Sequence, residues 1–256
     1  MRTEQEMYDL LLSVAKEDER IRLVTLEGSR ANPAVPDDGW KDYDLSYFVT
    51  DMDSYLQNDT WLDVFGKRLI LQKPEAMELY PPTLGNWFSY LMLFEDGNKV
   101  DLTLIPLAET EPYFAASDGL VEVLLDKDGL LTEAPVPSDE QYWIQPPTEK
   151  KYDDCCNEFW WLTTYVAKGL ARGEFLFAAD HLNQLLRPAL LQMMAWEIGA
   201  RKGFAFSLGK HDKFIQQYLP EETWHKLLAT FSMGSTEEAW QALFNCCELF
   251  RDSALS

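Results

Sequence analysis

Ile21-Arg22-Leu23-Val24-Thr25-Leu26-Glu27-Gly28-Ser29-Arg30, followed after a loop by Asp42-Tyr43-Asp44-Leu45-Ser46-Tyr47-Phe48-Val49, is the stretch on which the fold depends. Ile21 to Leu26 reads as a strand entering a sharp turn at Gly28, where the missing Cβ lets the backbone approach a ligand closely. Such a turn presents N–H groups to a phosphate. Asp42 to Val49 reads as a second strand, and because residues two apart share a face, Asp42 and Asp44 point the same way. Two carboxylates held this close repel each other unless a cation offsets them, and oxygen ligands on a rigid strand suit Mg²⁺. Gly28-Ser29 alone fits any strand-to-helix turn; the two aspartates give it a chemical direction. Arg30 has two readings, a phosphate contact or an ion pair with an acid near the turn.

Outward from this stretch, Glu4 to Ala15 carries Met7, Leu10, Leu11 and Val14 at helical spacing and predicts an opening amphipathic helix. Further strands are expected at Lys67 to Leu71, Trp87 to Phe94, Lys99 to Ile105 and Val121 to Leu125, with a helix around Trp61 to Gly66. Glu95-Asp96-Gly97-Asn98 is a strong turn signal that predicts an antiparallel hairpin between Trp87 to Phe94 and Lys99 to Ile105. On its second strand Val100, Leu102 and Leu104 share one face, which leaves Asp101 and Thr103 on the other. An unpartnered carboxylate on an apolar strand is costly, so Asp101 calls for a cation. A Gly-Ser turn, an Asp-x-Asp strand and a third acid on another strand form a minimum kit for two-metal nucleotidyl transfer. Asp42 and Asp44 are expected to carry two Mg²⁺ ions. Asp101 either completes a metal shell or takes the proton of the acceptor hydroxyl, and the second role is the expected one. Asp51 and Asp53 repeat the spacing but follow the strand, and are read as caps of the next element.

Leu131 to Lys151 holds four of the thirteen prolines, at Pro135, Pro137, Pro146 and Pro147, and reads as a connector between two domains. Beyond it, helices are expected at Tyr152 to Leu170, Phe175 to Gly199, Lys213 to Leu219, Glu222 to Phe231 and Thr236 to Arg251. The fold class is therefore α+β, with a mixed-sheet domain at 1–134, a linker at 135–151 and a helical bundle at 152–256. No internal repeat is present. Cys155-Cys156 and Cys246-Cys247 lack zinc-site spacing and read as structural thiols, and His181, His211 and His225 are scattered without ligand spacing.

Forty-three acidic against 22 basic side chains leave a formal charge of -21, which argues against a nucleic-acid backbone as partner and for a cationic one. No apolar run is long enough to span a bilayer, and the N-terminus has neither the cationic lead nor the cleavage pattern of a signal peptide, so neither membrane association nor export is expected. A cytoplasmic enzyme, monomeric or weakly dimeric, is the expectation.

The segments TLEGSRAN (25–32), DYDLSYFVTD (42–51), ELYPPTLGNWFSYLMLFEDGNKVDLTLIP (78–106), DDCCNEFWWLTTYVAKGLARGE (153–174) and AADHLNQLLRPALLQMMAW (178–196) together resemble the aminoglycoside 6-adenylyltransferases, also called streptomycin adenylyltransferases. These are members of the DNA polymerase β-like nucleotidyltransferase superfamily. The resemblance covers nearly the whole chain. It implies Mg²⁺-dependent transfer of AMP from ATP to the 6-hydroxyl of streptomycin, with release of diphosphate and inactivation of the antibiotic. It also implies that Gly28 and Ser29 bind the β- and γ-phosphates and that Lys210 meets the triphosphate from the helical domain. The acceptor's guanidinium groups are expected in an interdomain cleft, paired with Asp180 and Glu158. Two other functions fit the same residues: adenylylation of another aminoglycoside or of a protein hydroxyl, and binding of a cationic ligand without turnover. Ser256 falls short of the family's usual length, and a terminal segment is expected to be missing.

Overall fold

A computed structural model describes residues 1–256. The chain divides into two compact units, Met1–Gln141 and Tyr142–Ser256. The division falls inside the predicted 135–151 connector. Ser138 donates to the Gly119 carbonyl and the Gln141 side chain to that of Ser117, which ties the first part of the connector to the first unit. Ile144 donates to the Phe206 carbonyl in the second unit, and Thr148 caps a helix that begins at Glu149.

The first unit is built on a six-stranded sheet of β1 (Ile21–Glu27), β2 (Tyr43–Val49), β3 (Arg68–Gln72), β4 (Phe88–Phe94), β5 (Lys99–Pro106) and β6 (Val121–Asp126), in the order β3-β4-β5-β2-β1-β6. Only β2 and β5 run parallel; every other pair is antiparallel. The predicted turn joins β4 to β5, with Gly97 at φ 86° and Asn98 O accepting from Phe94 N.

Helix α1 (Glu4–Glu17) opens with a reciprocal cap between Thr3 and Glu6 and buries Met7, Leu11 and Ala15, one residue per turn. That stripe packs on the sheet face formed by Val24, Leu26, Leu45, Tyr47, Leu102 and Leu104, and burial of Met7 and Leu11 contributes roughly 1.5–3 kcal/mol each. Tyr47 OH donates to the Leu11 carbonyl across this core. The opposite face is closed at one end by α4 (Thr110–Ala116), whose Tyr113 and Phe114 lie against Phe48, with Leu23, Ile105 and Val121 in the same cluster.

Two short elements complete the unit: α2 (Gly28–Ala31) continues directly from β1, and α3 (Met52–Leu56) is capped by Asp51, whose side chain accepts from Ser54 N. The predicted helix at Trp61 to Gly66 is a 3-10 segment over Thr60–Phe65, stopped by Gly66 at φ 113°.

The second unit packs α5 (Glu149–Ala171), α6 (Phe175–His181), α7 (Arg187–Lys202), α8 (Glu221–Ala229) and α9 (Thr236–Leu255) around Phe159, Leu182, Leu190, Ile198, Leu243 and Phe250. Phe159 and Phe250 stack with centroids 3.8 Å apart. Phe175 to Gly199, expected as one helix, is interrupted by a π turn over Leu182–Leu186. Pro188 follows it and cannot donate to the carbonyl of Gln184, which explains the local widening. The helix expected at Lys213 to Leu219 shrinks to a 3-10 turn at Ile215–Tyr218, and before it a turn at Lys210–Asp212 takes left-handed backbone at His211 and Asp212, φ 56° and 57°. All four cysteines are free thiols.

Candidate active site

Strand register arranges one face of the sheet into three transverse rows, following the two-residue period of the pleat. Leu23, Phe48 and Ile105 make an apolar row under α4. Next to it Thr25, Ser46, Thr103 and Ser89 make a hydroxyl row, in which the Ser89 and Thr103 oxygens lie 2.9 Å apart. The third row is acidic: Glu27, Asp44 and Asp101 stand side by side on β1, β2 and β5. Asp42, just before β2, lies on the same face as Asp44 and next to Lys99 at the start of β5.

Gly28 ends the row, at φ 66°. A Cβ placed on it would sit 2.7 Å from Asp44 Oδ2, so the turn and the aspartate are packed as closely as a glycine allows. The Gly28 N–H donates to the Leu120 carbonyl, which leaves the Ser29 amide and hydroxyl as the donors that this turn offers a phosphate. Arg30 is occupied within the fold. Its guanidinium donates to the carbonyls of Lys41 and Asp42 at 2.9 Å, pairs with Glu4 at 2.9 Å and lies 3.7 Å over the Tyr43 ring.

Lys99 Nζ bridges Asp42 Oδ2 at 2.8 Å and Asp101 Oδ2 at 2.9 Å. Partial burial pulls this ammonium's pKa down, but the two carboxylates outweigh it and raise the pKa above the usual lysine range. The remaining Asp101 oxygen, Oδ1, is buried without a hydrogen-bond partner. Burial pushes the Glu27 carboxyl up to about 7, with the nearby Asp44 charge adding to it, while hydrogen bonds from Thr25, Tyr113 and Ser46 work in the opposite direction. The Tyr113 phenol is itself raised, by burial first and by Glu27 second.

All-oxygen donors, their like charges and the orphaned Asp101 Oδ1 fit a hard divalent cation. They do not stand as a ready three-ligand cage, and Lys99 holds the place between two of them. Lys99 and Glu27 were not among the residues singled out in the sequence. Lys99 was legible, since it precedes Asp101 by two residues and so shares its face. Glu27 had no such signal, because only the β1–β2 register sets it opposite Asp44.

The remaining predicted residues belong to the second unit. Glu158 on α5 and Asp180 on α6 are both exposed, and the two helices meet through Tyr165 and His181, whose rings lie 5.5 Å apart. Trp161 donates to Tyr165 OH, and Phe177 packs on His181 at 4.0 Å, so aromatic rings line the surface where these helices meet. Lys210 lies in the turn that follows Gly209.

The model of the streptomycin adenylyltransferase family matches residues 1–256. The chain is 60% identical over 251 residues to an aminoglycoside 6-adenylyltransferase of Bacillus subtilis (strain 168), an alignment covering 98% of this chain and 88% of that protein. It is 54% identical over 252 residues to the Campylobacter jejuni protein of the same name, with 98% and 87% covered. The Staphylococcus aureus protein of that name is 49% identical over 251 residues, with 98% and 89% covered.

Proposed function

The chain belongs to the streptomycin adenylyltransferase family, and from that footing we propose that it transfers AMP from ATP to the 6-hydroxyl of streptomycin and so inactivates the antibiotic. The observation that carries this reading is the acidic row beside the Gly28 turn, with Asp101 Oδ1 buried and unpartnered in it. Asp42, Asp44 and Asp101 would hold magnesium, which supplies charge neutralisation at the triphosphate and lowers the pKa of a bound hydroxyl.

Ser29, through its amide and hydroxyl, receives the β- and γ-phosphates at the Gly28 turn, and Lys210 adds a positive charge to the triphosphate. Arg30 acts indirectly: by fixing the carbonyls of Lys41 and Asp42 it sets where the Asp42 side chain begins. Asp101 accepts the proton of the acceptor hydroxyl. The acceptor oxygen forms a bond to the α-phosphorus, the bridge from that phosphorus to the β-phosphate oxygen breaks, and diphosphate leaves with the electron pair. Thr25 and Tyr113 keep Glu27 fixed behind Asp44, so the row holds its spacing through the reaction.

Glu158 and Asp180 bind the guanidinium groups of the acceptor, and the rings nearby offer faces for those flat cations. A net charge of -21 steers such a polycation toward the protein. Dependence on ATP suits a cytoplasmic reaction, and no helix is long and apolar enough to cross a membrane.

Incubation with ATP, Mg²⁺ and streptomycin should release diphosphate well above a drug-free control and yield AMP-modified drug. Folded protein that releases none overturns the reading. A panel of other aminoglycosides measures how closely the acceptor is specified.

A further inference from the structure

We infer that Lys99 is an exchangeable counter-cation: its ammonium holds Asp42 and Asp101 together when no divalent ion is bound, and passes to the triphosphate when a metal–nucleotide complex enters. The inference rests on the adenylyl-transfer reading above and adds to it a residue and a binding order.

Asp42 precedes β2 and Asp101 lies on the parallel neighbour β5, so their separation is set by two backbones and cannot relax freely. Lys99 Nζ touches one oxygen of each, at 2.8 and 2.9 Å. A divalent ion held by both carboxylates would meet that ammonium at close range, where like charges repel strongly even at the effective dielectric of a protein surface. Both cannot share those oxygens.

The lysine side chain is 39% exposed, so its ammonium has an open side toward which to move once its two partners are taken. A flexible four-carbon stem lets the ammonium move several ångströms, and the anion that arrives with the metal is a polyphosphate. The carboxylates' failure to form a preassembled cage is then a consequence of this arrangement, because the site is kept in a lysine-bound form. Asp101 Oδ1 is buried and unpartnered, so the lysine satisfies only one of that carboxylate's two oxygens.

Metal alone must expel Lys99 without giving it a new partner, whereas metal with nucleotide provides one. Affinities for the two are therefore positively coupled, and the lysine is the source of the coupling.

The test is Mn²⁺ binding, followed by electron paramagnetic resonance, with and without a non-hydrolysable ATP analogue. In the wild type the analogue should tighten Mn²⁺ binding by about 10-fold or more. Lys99→Met should bind Mn²⁺ alone about 10-fold more tightly than the wild type and lose most of the coupling, since its site has no resident cation to expel. Its thermal midpoint in chelator should fall and recover with Mn²⁺, which also reports that the variant is folded. Lys99→Arg keeps the charge and should keep the weak Mn²⁺ binding. Unchanged or weaker Mn²⁺ affinity in Lys99→Met, with coupling intact, overturns the inference. A wild-type protein that binds no analogue at all overturns the nucleotide reading, and that result is visible before any variant is made.

Discussion

Gly28 and Asp44 are so close that a methyl group on the glycine would stand 2.7 Å from Asp44 Oδ2. The contact joins the phosphate turn to the acidic row, and it makes Gly28 a position with two separate reasons to be glycine: its φ of 66° and this approach. Gly173 shares the first reason alone, with φ 73° and open space where a methyl group would stand. Gly173→Ala should therefore cost only the left-handed penalty of about 1–2 kcal/mol. Gly28→Ala should cost distinctly more in denaturant unfolding and lower turnover by about 100-fold, since a displacement of about 1 Å at reacting groups has that effect. Equal costs at the two glycines would show that the approach to Asp44 relaxes freely.

Asp101→Asn removes both the proton acceptor and a carboxylate of the metal site, and keeps the shape. Turnover should fall by about 10²–10⁴-fold, the range for a positioned general base, while the circular dichroism spectrum stays unchanged and the thermal midpoint stays near that of the wild type. Asp42→Asn and Asp44→Asn should each abolish turnover as well, through the loss of metal. Steady-state rates at saturating ATP separate the roles, because added Mn²⁺ restores activity where only a metal ligand is weakened and cannot replace the base that Asp101→Asn also loses. Retained turnover in Asp101→Asn refutes the assignment.

The pattern in the sequence carried the hairpin, the opening helix and the shared face of Asp42 and Asp44, because each follows from local periodicity or turn chemistry. The parallel pairing of β2 with β5 was beyond it. That pairing joins segments far apart in the chain and alone brings Asp101 beside Asp44 and Lys99 beside Asp42. Glu27 was hidden because only the β1–β2 register sets it beside Asp44, and the nearer partners of Arg30, two carbonyls and Glu4, leave no mark in a residue pattern. The segment from Lys213 to Leu219 misled because its apolar spacing is helical, yet between the left-handed turn at His211 and Asp212 and Pro220 it forms only a short 3-10 turn.

Asp18 gives the first unit an acid-sensitive contact. Partial burial tends to raise its carboxyl, but hydrogen bonds from Arg20 and from Tyr55 OH, the latter at 2.7 Å, overcome this and hold it at about 2. A carboxyl depressed in the folded state contributes stability that is fully present above its unfolded pKa near ~3.9 and is lost as pH falls through the folded value. Unfolding free energy should therefore drop between about pH 4 and pH 2, by up to roughly 2 kcal/mol from this group. Asp18→Asn should be less stable than the wild type at pH 7, and the gap should close toward pH 2. A gap that stays constant with pH would assign the effect of Asp18 to packing.

Glu158 and Asp180 test the acceptor half of the proposal. Both are carboxylates outside the buried core, on helices joined through the Tyr165–His181 contact, so their removal should leave folding intact. A charge-assisted hydrogen bond contributes about 1.5–3 kcal/mol, so Glu158→Gln and Asp180→Asn should each raise the KM for streptomycin by about 10- to 100-fold. The KM for ATP should hold, because the triphosphate turn lies on β1 and α2 of the other unit. Trp161→Leu should raise the acceptor KM more modestly, by the loss of about 0.5–2 kcal/mol of cation–π attraction. Raising the salt concentration should weaken the wild type toward the variants, since screening removes attraction to the same charges. If the acceptor KM is unchanged in both carboxylate variants, the guanidinium groups bind elsewhere on the chain; if it rises in only one, that residue alone pairs with a guanidinium.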